Sequence, residues 1–232
     1  MKVALINGQN HKGSTYHVGR MLAEELTDDK DISEVFLPRD MPEFCTGCTT
    51  CILKDEKLCP DYKYIEPIKK LIDSSDILIF TTPVYVYHCT GSMKALLDHF
   101  AYRWMVHRPE KSMFSKQAVC ISTAAGAGMK WACKDIKHSM FFWGAAKIYT
   151  YGVAVASTSW NGVKEAKKKS IEKKIKGLAK KIKANQGKVR PSFSTKALFG
   201  IMKLSQKKGW NPIDTAYWKE NGWMDGKKPW KA

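Results

Sequence analysis

Five apolar runs of strand length recur along the chain with helix-patterned stretches between them. That alternation restricts the fold more than any other feature. The runs are KVALIN (2–7), SEVFLP (33–38), DILIFTT (76–82), QAVCIST (117–123) and KIYTYGVAV (147–155). Most are apolar without interruption, as parallel strands covered on both faces must be. Between them, 15–26, 65–74, 92–104 and 131–144 carry apolar residues at helical spacing, Met21, Leu22 and Leu26 being one instance. Strands alternating with helices predict an α/β fold: a doubly wound parallel sheet of five strands with helices on both faces. The 232 residues suffice to bury a substantial core around it.

A sheet of this kind binds ligands outside the carboxyl ends of its strands, so the loops leaving strands one, three and four are the places to read. The first is GQNHKGST (8–15). It matches neither the dinucleotide nor the triphosphate fingerprint. Its glycines allow a tight turn, and Ser14 and Thr15 stand where a helix begins. Free N–H groups and the helix dipole there suit one phosphate; an ordinary N-cap turn accounts for the same residues. After strand three, PVYVYHCTGSMKALLDHF (83–100) sets Tyr85 and Tyr87 on the rim, either against a planar ring or as cover for the core. After strand four, TAAGAG (123–128) is small enough for a flat ligand to approach its backbone. His11 and His88 lie on this rim, but neither is matched to a partner that would make it a general acid or base, and no catalytic side chain is assigned.

Seven cysteines are an odd number, and the amino terminus lacks the charged, apolar and small-residue regions of a secretory signal. No apolar stretch has the length of a membrane span. The expectation is a cytoplasmic protein with reduced thiols. Four of those thiols, Cys45, Cys48, Cys51 and Cys59, form C-x2-C-x2-C-x7-C. Three closely spaced thiolates and a fourth a little further on suit the corners of a [4Fe–4S] cubane, whereas structural zinc favours two separated pairs.

The net charge of +17 is unevenly spread. Residues 1–162 hold 19 Lys/Arg against 17 Asp/Glu, and 163–232 hold 20 against 5. Basic character thus belongs to the carboxyl-terminal part. There, 163–185 places Ile171, Ile175, Leu178 and Ile182 on one helical stripe among lysines, as expected of a helix packed on the sheet. A second basic amphipathic stretch, 195–210, leads to Trp210, Trp218, Trp223 and Trp230. We read this tail as wrapping its own domain or a partner subunit. Nucleic-acid stacking and an interfacial membrane helix are the less favoured alternatives. The division expected is 1–185, carrying the cysteine loop at 45–59, and a basic, Trp-rich extension over 186–232.

Over roughly residues 1–160, GQNHKGST, the cysteine cluster, PVYVYHCTGSMKALLDHF and STAAGAG resemble the flavodoxin-like NADPH-dependent FMN reductase superfamily, and most of all its iron–sulfur flavoproteins. The tail's Tyr-Trp-Lys-Glu-x-Gly-Trp run (217–223) is similar to family members as well. The resemblance implies a strand order of 2-1-3-4-5. It implies that Gln9, Asn10, His11, Ser14 and Thr15 hold the FMN phosphate. Pro83, Val84, Tyr85 and Val86 would line the ring and ribityl chain, and Thr123, Ala124, Ala125 and Gly126 the ring's far edge. Two departures stand out: Gln9-Asn10-His11 replaces a usual Ser-Pro-Arg, and Ala124-Ala125 a usual glycine pair. The function implied is an FMN-dependent oxidoreductase. It would take electrons from NAD(P)H or a reduced protein and pass them, through a [4Fe–4S] cluster on Cys45, Cys48, Cys51 and Cys59, to a small-molecule or protein acceptor. A homodimer or homotetramer is the assembly expected, with the cluster near the flavin's rim, within or across a subunit interface. The alternatives are a cluster-free NAD(P)H-dependent FMN or quinone reductase and an electron carrier with little turnover.

Overall fold

The computed structural model describes residues 1–231. Strands β1 (Val3–Asn7), β2 (Ile32–Phe36), β3 (Ile77–Pro83), β4 (Gln117–Ala124) and β5 (Lys147–Ala154) pair in parallel, in the order β2-β1-β3-β4-β5. The flavodoxin-like order expected from the sequence is the one found. Among the described residues eight α-helices accompany the strands: α1 (Ser14–Leu26), α2 (Thr50–Leu53), α3 (Tyr62–Ser74), α4 (Gly91–His99), α5 (Met129–Phe142), α6 (Glu165–Asn185), α7 (Phe193–Lys207) and α8 (Pro212–Glu220).

Alternation along each strand divides the core in two. Leu5, Ile79 and Ile121 point to one face, where they meet Leu22 of α1 and Ile171, Ile175 and Ile182 of α6. Ile6, Phe80 and Cys120 point to the other, against Ile68 of α3, Leu96 of α4 and Ile136 of α5. Period-two side chains buried on both faces explain why the strands read as unbroken apolar runs. On α6 the buried stripe is Ile171, Ile175, Ala179 and Ile182, with Leu178 at its flank. The small Ala179 lets the helix approach the layer below.

Lys116, at the start of β4, ties the two sides of one connection together. Its Nζ donates to the carbonyl oxygens of Ile72 at 2.9 Å, Ser75 at 2.6 Å and Asp73 at 2.5 Å, the last carbonyls of α3. Burial pushes this amine down to about 8. Lys116→Met is expected to destabilise the fold by about 2–4 kcal/mol, because three inward carbonyls lose their donor; denaturant unfolding measures it.

Two stretches differ from the sequence reading. The pattern over 92–104 ends as a helix at His99, whose Nδ1 meets the Ala95 carbonyl at 2.8 Å, and the chain continues as one 3-10 turn. The tail contains a helix, α8, which the tryptophan pattern obscured. Asn211 caps it by accepting from Ile213 N–H, and Pro212 stands in its first turn. Together α7 and α8 enclose a third cluster in which Phe199, Trp218 and Trp223 pack on Met105 and Phe114 of the preceding chain. Trp218 and Trp223 are therefore buried, while Trp210 is exposed. Among the described residues no helix is long and apolar enough to cross a membrane.

Candidate functional site

A cleft of about 270 Å³ opens at the carboxyl ends of β1, β3, β4 and β5. Of the residues expected from the sequence, Gln9, His11, Ser14, Thr15, Pro83, Val84, Tyr85, Thr123, Ala124 and Ala125 line it. Asn10, Val86 and Gly126 are outside the lining. Seven further residues complete it, among them Asn7, Tyr16 and Thr81. Val155, Ser157 and Thr158 come from the loop after β5. The rim argument applied to the fifth strand would have found those three.

The floor of the cleft is rigid. Gly8 N–H donates to the Thr81 carbonyl at 2.7 Å, and the Gly8 carbonyl accepts from Thr90 Oγ1 at 2.7 Å and Ser92 Oγ at 2.9 Å. A Cβ on Gly8 would stand 2.9 Å from both the Thr81 carbonyl oxygen and Thr90 Oγ1, so only glycine lets the first loop close on β3 and the start of α4. Thr15 Oγ1 lies 2.6 Å from Thr123 Oγ1, joining the first loop to the fourth.

At one end of the cleft α1 begins at Gly13, which brings no side-chain cap. Its first backbone N–H groups thus face the cleft uncapped. The Ser14 hydroxyl beside them is buried without a hydrogen-bond partner. The sequence left an N-cap turn and an anion site as equals here. In the structure Ser14 does not cap the helix, and Gly13, Ser14 and Thr15 at its start line the cavity.

The other end is bounded by a strained turn. Tyr85 and His88 exchange backbone hydrogen bonds at 3.0 and 2.9 Å across Val86 and Tyr87, which sit at φ +47° and +66°. This left-handed region favours Asn and Gly, and a β-branched residue there is costly. Val86 is 92% exposed at the tip. Behind it, Gly128 at φ +98° leaves space for Val84, whose Cγ1 would lie 2.6 Å from any added Cβ. His88 points away from the cleft and pairs with Asp135 at 3.0 Å. Replacing Val86-Tyr87 by Asn-Gly is expected to stabilise the fold by about 1 kcal/mol and raise its melting temperature by roughly 2–4 °C, read by calorimetry.

The cysteine loop lies elsewhere. Cys45 and Cys48 are exposed, while Cys51 on α2 and Cys59 are half-buried against the core under α3 and α4. Burial first, and then the charges of Cys59, Cys45 and Cys48, push the Cys51 thiol up to about 11, so the four sulfurs share one neighbourhood. Cys59 is raised as well, chiefly by burial. Exposed Cys48 is lowered by hydrogen bonds around Thr50. Thiolates on one zinc ion would stand about 3.8 Å apart given a Zn–S bond near 2.3 Å. Among the described residues, however, the donors that come within 4.8 Å of one another are Cys59, Asp61 and His99.

None of the four cysteines lines the cleft. His99, beside Cys59, is the last residue of α4, whereas the Gly8 anchor Thr90 caps its start. Nine residues of helix, about 13 Å at 1.5 Å per residue, separate the two ends. Cys59 thus sits beside the end of α4 remote from the Gly8 anchor.

Residues 1–159 match the model of the NADPH-dependent FMN reductase family. The chain belongs to that family. Curated relatives include an iron–sulfur flavoprotein of Clostridioides difficile, 29% identical over 185 residues, which are 78% of this chain and 77% of that protein. An iron–sulfur flavoprotein of Archaeoglobus fulgidus is 31% identical over 98 residues, and the match spans 42% of each chain. The FMN reductase fold is shared with the FMN-dependent NADH-azoreductase of Bacillus anthracis, with a TM-score of 0.56 at 12% identity over 77% of this chain and all of that one. It is shared also with the NAD(P)H:quinone oxidoreductase of Methanothermobacter marburgensis, with a TM-score of 0.57 at 15% identity over 77% of this chain and 96% of that one.

Proposed function

We propose that this protein is an FMN-dependent oxidoreductase that takes electrons from NAD(P)H or a reduced protein and delivers them, by way of a [4Fe–4S] cluster on Cys45, Cys48, Cys51 and Cys59, to a separate acceptor. The observation that carries the flavin half is the uncapped start of α1 beside the unpartnered, buried Ser14 hydroxyl, opening on a rim built from four loops. A phosphate ester satisfies that hydroxyl and the free N–H groups together, and family membership supplies FMN as its source.

In this reading Ser14, Thr15, Gln9 and His11 hold the phosphate, and Pro83, Val84 and Tyr85 pack along the ring and ribityl chain. Thr123, Ala124 and Ala125 approach the ring edge, with Ser157 and Thr158 closing the side that the sequence analysis missed. Bound flavin accepts two electrons from a reduced nicotinamide and can return them singly, which is the chemistry the fold has to position. The chain contributes orientation: a floor fixed by Gly8, and a rim of small residues that leaves the ring accessible. Residues 1–185 form the flavin-binding unit in this reading, and 186–232 its basic extension. The distance between cysteine loop and cleft favours a homo-oligomer in which one copy's loop meets another copy's cleft.

Support for the cluster comes from four soft thiol donors in one neighbourhood and from the names of the relatives. A cluster-free NAD(P)H-dependent FMN or quinone reductase is the second reading, favoured by the exposure of Cys45 and Cys48.

The test is one anaerobic preparation examined three ways. Its visible spectrum should show flavin with a broad iron–sulfur shoulder. Iron and acid-labile sulfide should each approach four per chain, and stopped-flow mixing with NADPH should bleach the flavin. Flavin without sulfide selects the second reading, and flavin that NADPH leaves oxidised selects an electron carrier. A colourless protein that refuses added FMN overturns all three.

A further inference from the structure

The carboxyl-terminal helices grip one short segment, 106–109, by its backbone. Gln206 Nε2 donates to the Val106 carbonyl at 2.6 Å, Trp218 Nε1 to that of His107 at 2.6 Å, and Tyr217 Oη to that of Pro109 at 2.9 Å. From the middle of this segment Arg108 extends, 8% exposed, onto Asp214 of α8, which is fully buried. Its two terminal nitrogens then reach the cysteine loop. Nη1 donates to the Ile52 carbonyl at 3.1 Å and Nη2 to the carbonyl of Cys51 itself. Asn211 Nδ2 donates to the same Ile52 carbonyl at 3.1 Å and to Asp214 Oδ2 at 2.9 Å.

A buried ion pair is costly unless each hydrogen-bonding position is used, and here the positions are spent on loop carbonyls. Those carbonyls belong to the one short helix inside the cysteine loop. Arg108 also places a fixed positive charge beside Cys51, where it favours the thiolate. Asp214 holds the guanidinium on its other side, with His107 Nδ1 at 2.7 Å from Oδ2. Glu56, at 3.9 Å, is the other carboxylate facing it.

We propose that Arg108, fixed by Asp214 of α8, is a positioning residue that clamps the Cys51 end of the cysteine loop, so that the carboxyl-terminal extension serves to organise and electrostatically tune whatever those thiols hold. This rests on the cluster reading for its ligand, but the clamp on the loop stands independently of it. The guanidinium transfers no group. It fixes two carbonyls and contributes charge.

The test compares wild type, R108Q, R108K and D214N, all full length and anaerobically purified. Hydrogen exchange at the amides of Ile52, Leu53 and Lys54, which bond to the carbonyls of Thr49 and Thr50, reads the loop without reference to any metal. R108Q and D214N are expected to speed it by about 10-fold or more. Iron release to a chelator should accelerate roughly 10- to 100-fold, the usual effect of losing an outer partner of a metal ligand. The cluster's midpoint potential should fall in R108Q, which lacks the charge, and be kept in R108K, which retains it but cannot grip both carbonyls. FMN affinity should stay within about twofold throughout. Unchanged exchange in R108Q overturns the proposal, as does loss of FMN in step with iron, which would mark general unfolding. Faster exchange in a protein whose wild type holds neither iron nor sulfide keeps the clamp and sinks the cluster reading alone.

Discussion

Ser14→Asp is expected to weaken FMN binding by roughly 100- to 1000-fold, measured by fluorescence titration of the apoprotein. The residue begins α1, lines the cleft, and has a buried hydroxyl without a hydrogen-bond partner. A carboxylate there occupies the field and the N–H groups proposed for the phosphate, and repels it. At about 4 Å and an effective dielectric near 20, one pair of like charges costs about 4 kcal/mol. Ser14→Ala removes one hydrogen bond and should cost about 1 kcal/mol, a factor of five to ten. The pair of variants matters more than either alone. If aspartate and alanine weaken binding equally, the site does not work by charge at the helix start, and the phosphate assignment fails.

Cys51→Ser should leave the flavin in place and remove the metal. Cys51 is half-buried on α2, outside the cleft lining, and the other three sulfurs shift its thiol through their charges. With a serine there, iron and sulfide should fall below about one-tenth of the wild-type stoichiometry, because a hydroxyl at this position replaces one corner thiolate with a poor ligand for iron. Flavin bleaching by NADPH should change less than about twofold, while turnover with a one-electron acceptor drops at least about tenfold. Equal losses of both activities would contradict the separation of cleft and cysteine loop along α4. Sulfide retained in full would remove Cys51 from the ligand set.

Much of the architecture was legible before any coordinates. Uninterrupted apolar runs such as QAVCIST require burial on both faces, and their alternation with amphipathic segments left one class of sheet. The rim loops followed from the rule that ligands sit at the carboxyl ends of parallel strands, and ten of the thirteen expected cofactor residues do line the cleft. Three do not. Val86 is carried out to the tip of a two-residue turn, which nothing in PVYVYH signals because neither central residue is Asn or Gly. Asn10 and Gly126 are exposed, and which loop residues face inward is set by contacts between loops distant in sequence. Among the lining residues missed, Ser157 and Thr158 belong to the loop after β5, whose composition is unremarkable.

Local order is what the sequence determined by itself: strand and helix periods and the clustering of four thiols. These depend on neighbours a few residues away, where propensity and periodicity act. The tertiary structure alone decided which distant groups meet. It set Cys59 beside His99, and it joined Asp214 to Arg108 across more than a hundred residues of chain. Buried charges and orphaned carbonyls must be satisfied by whatever packing brings near, and no local pattern encodes that partner.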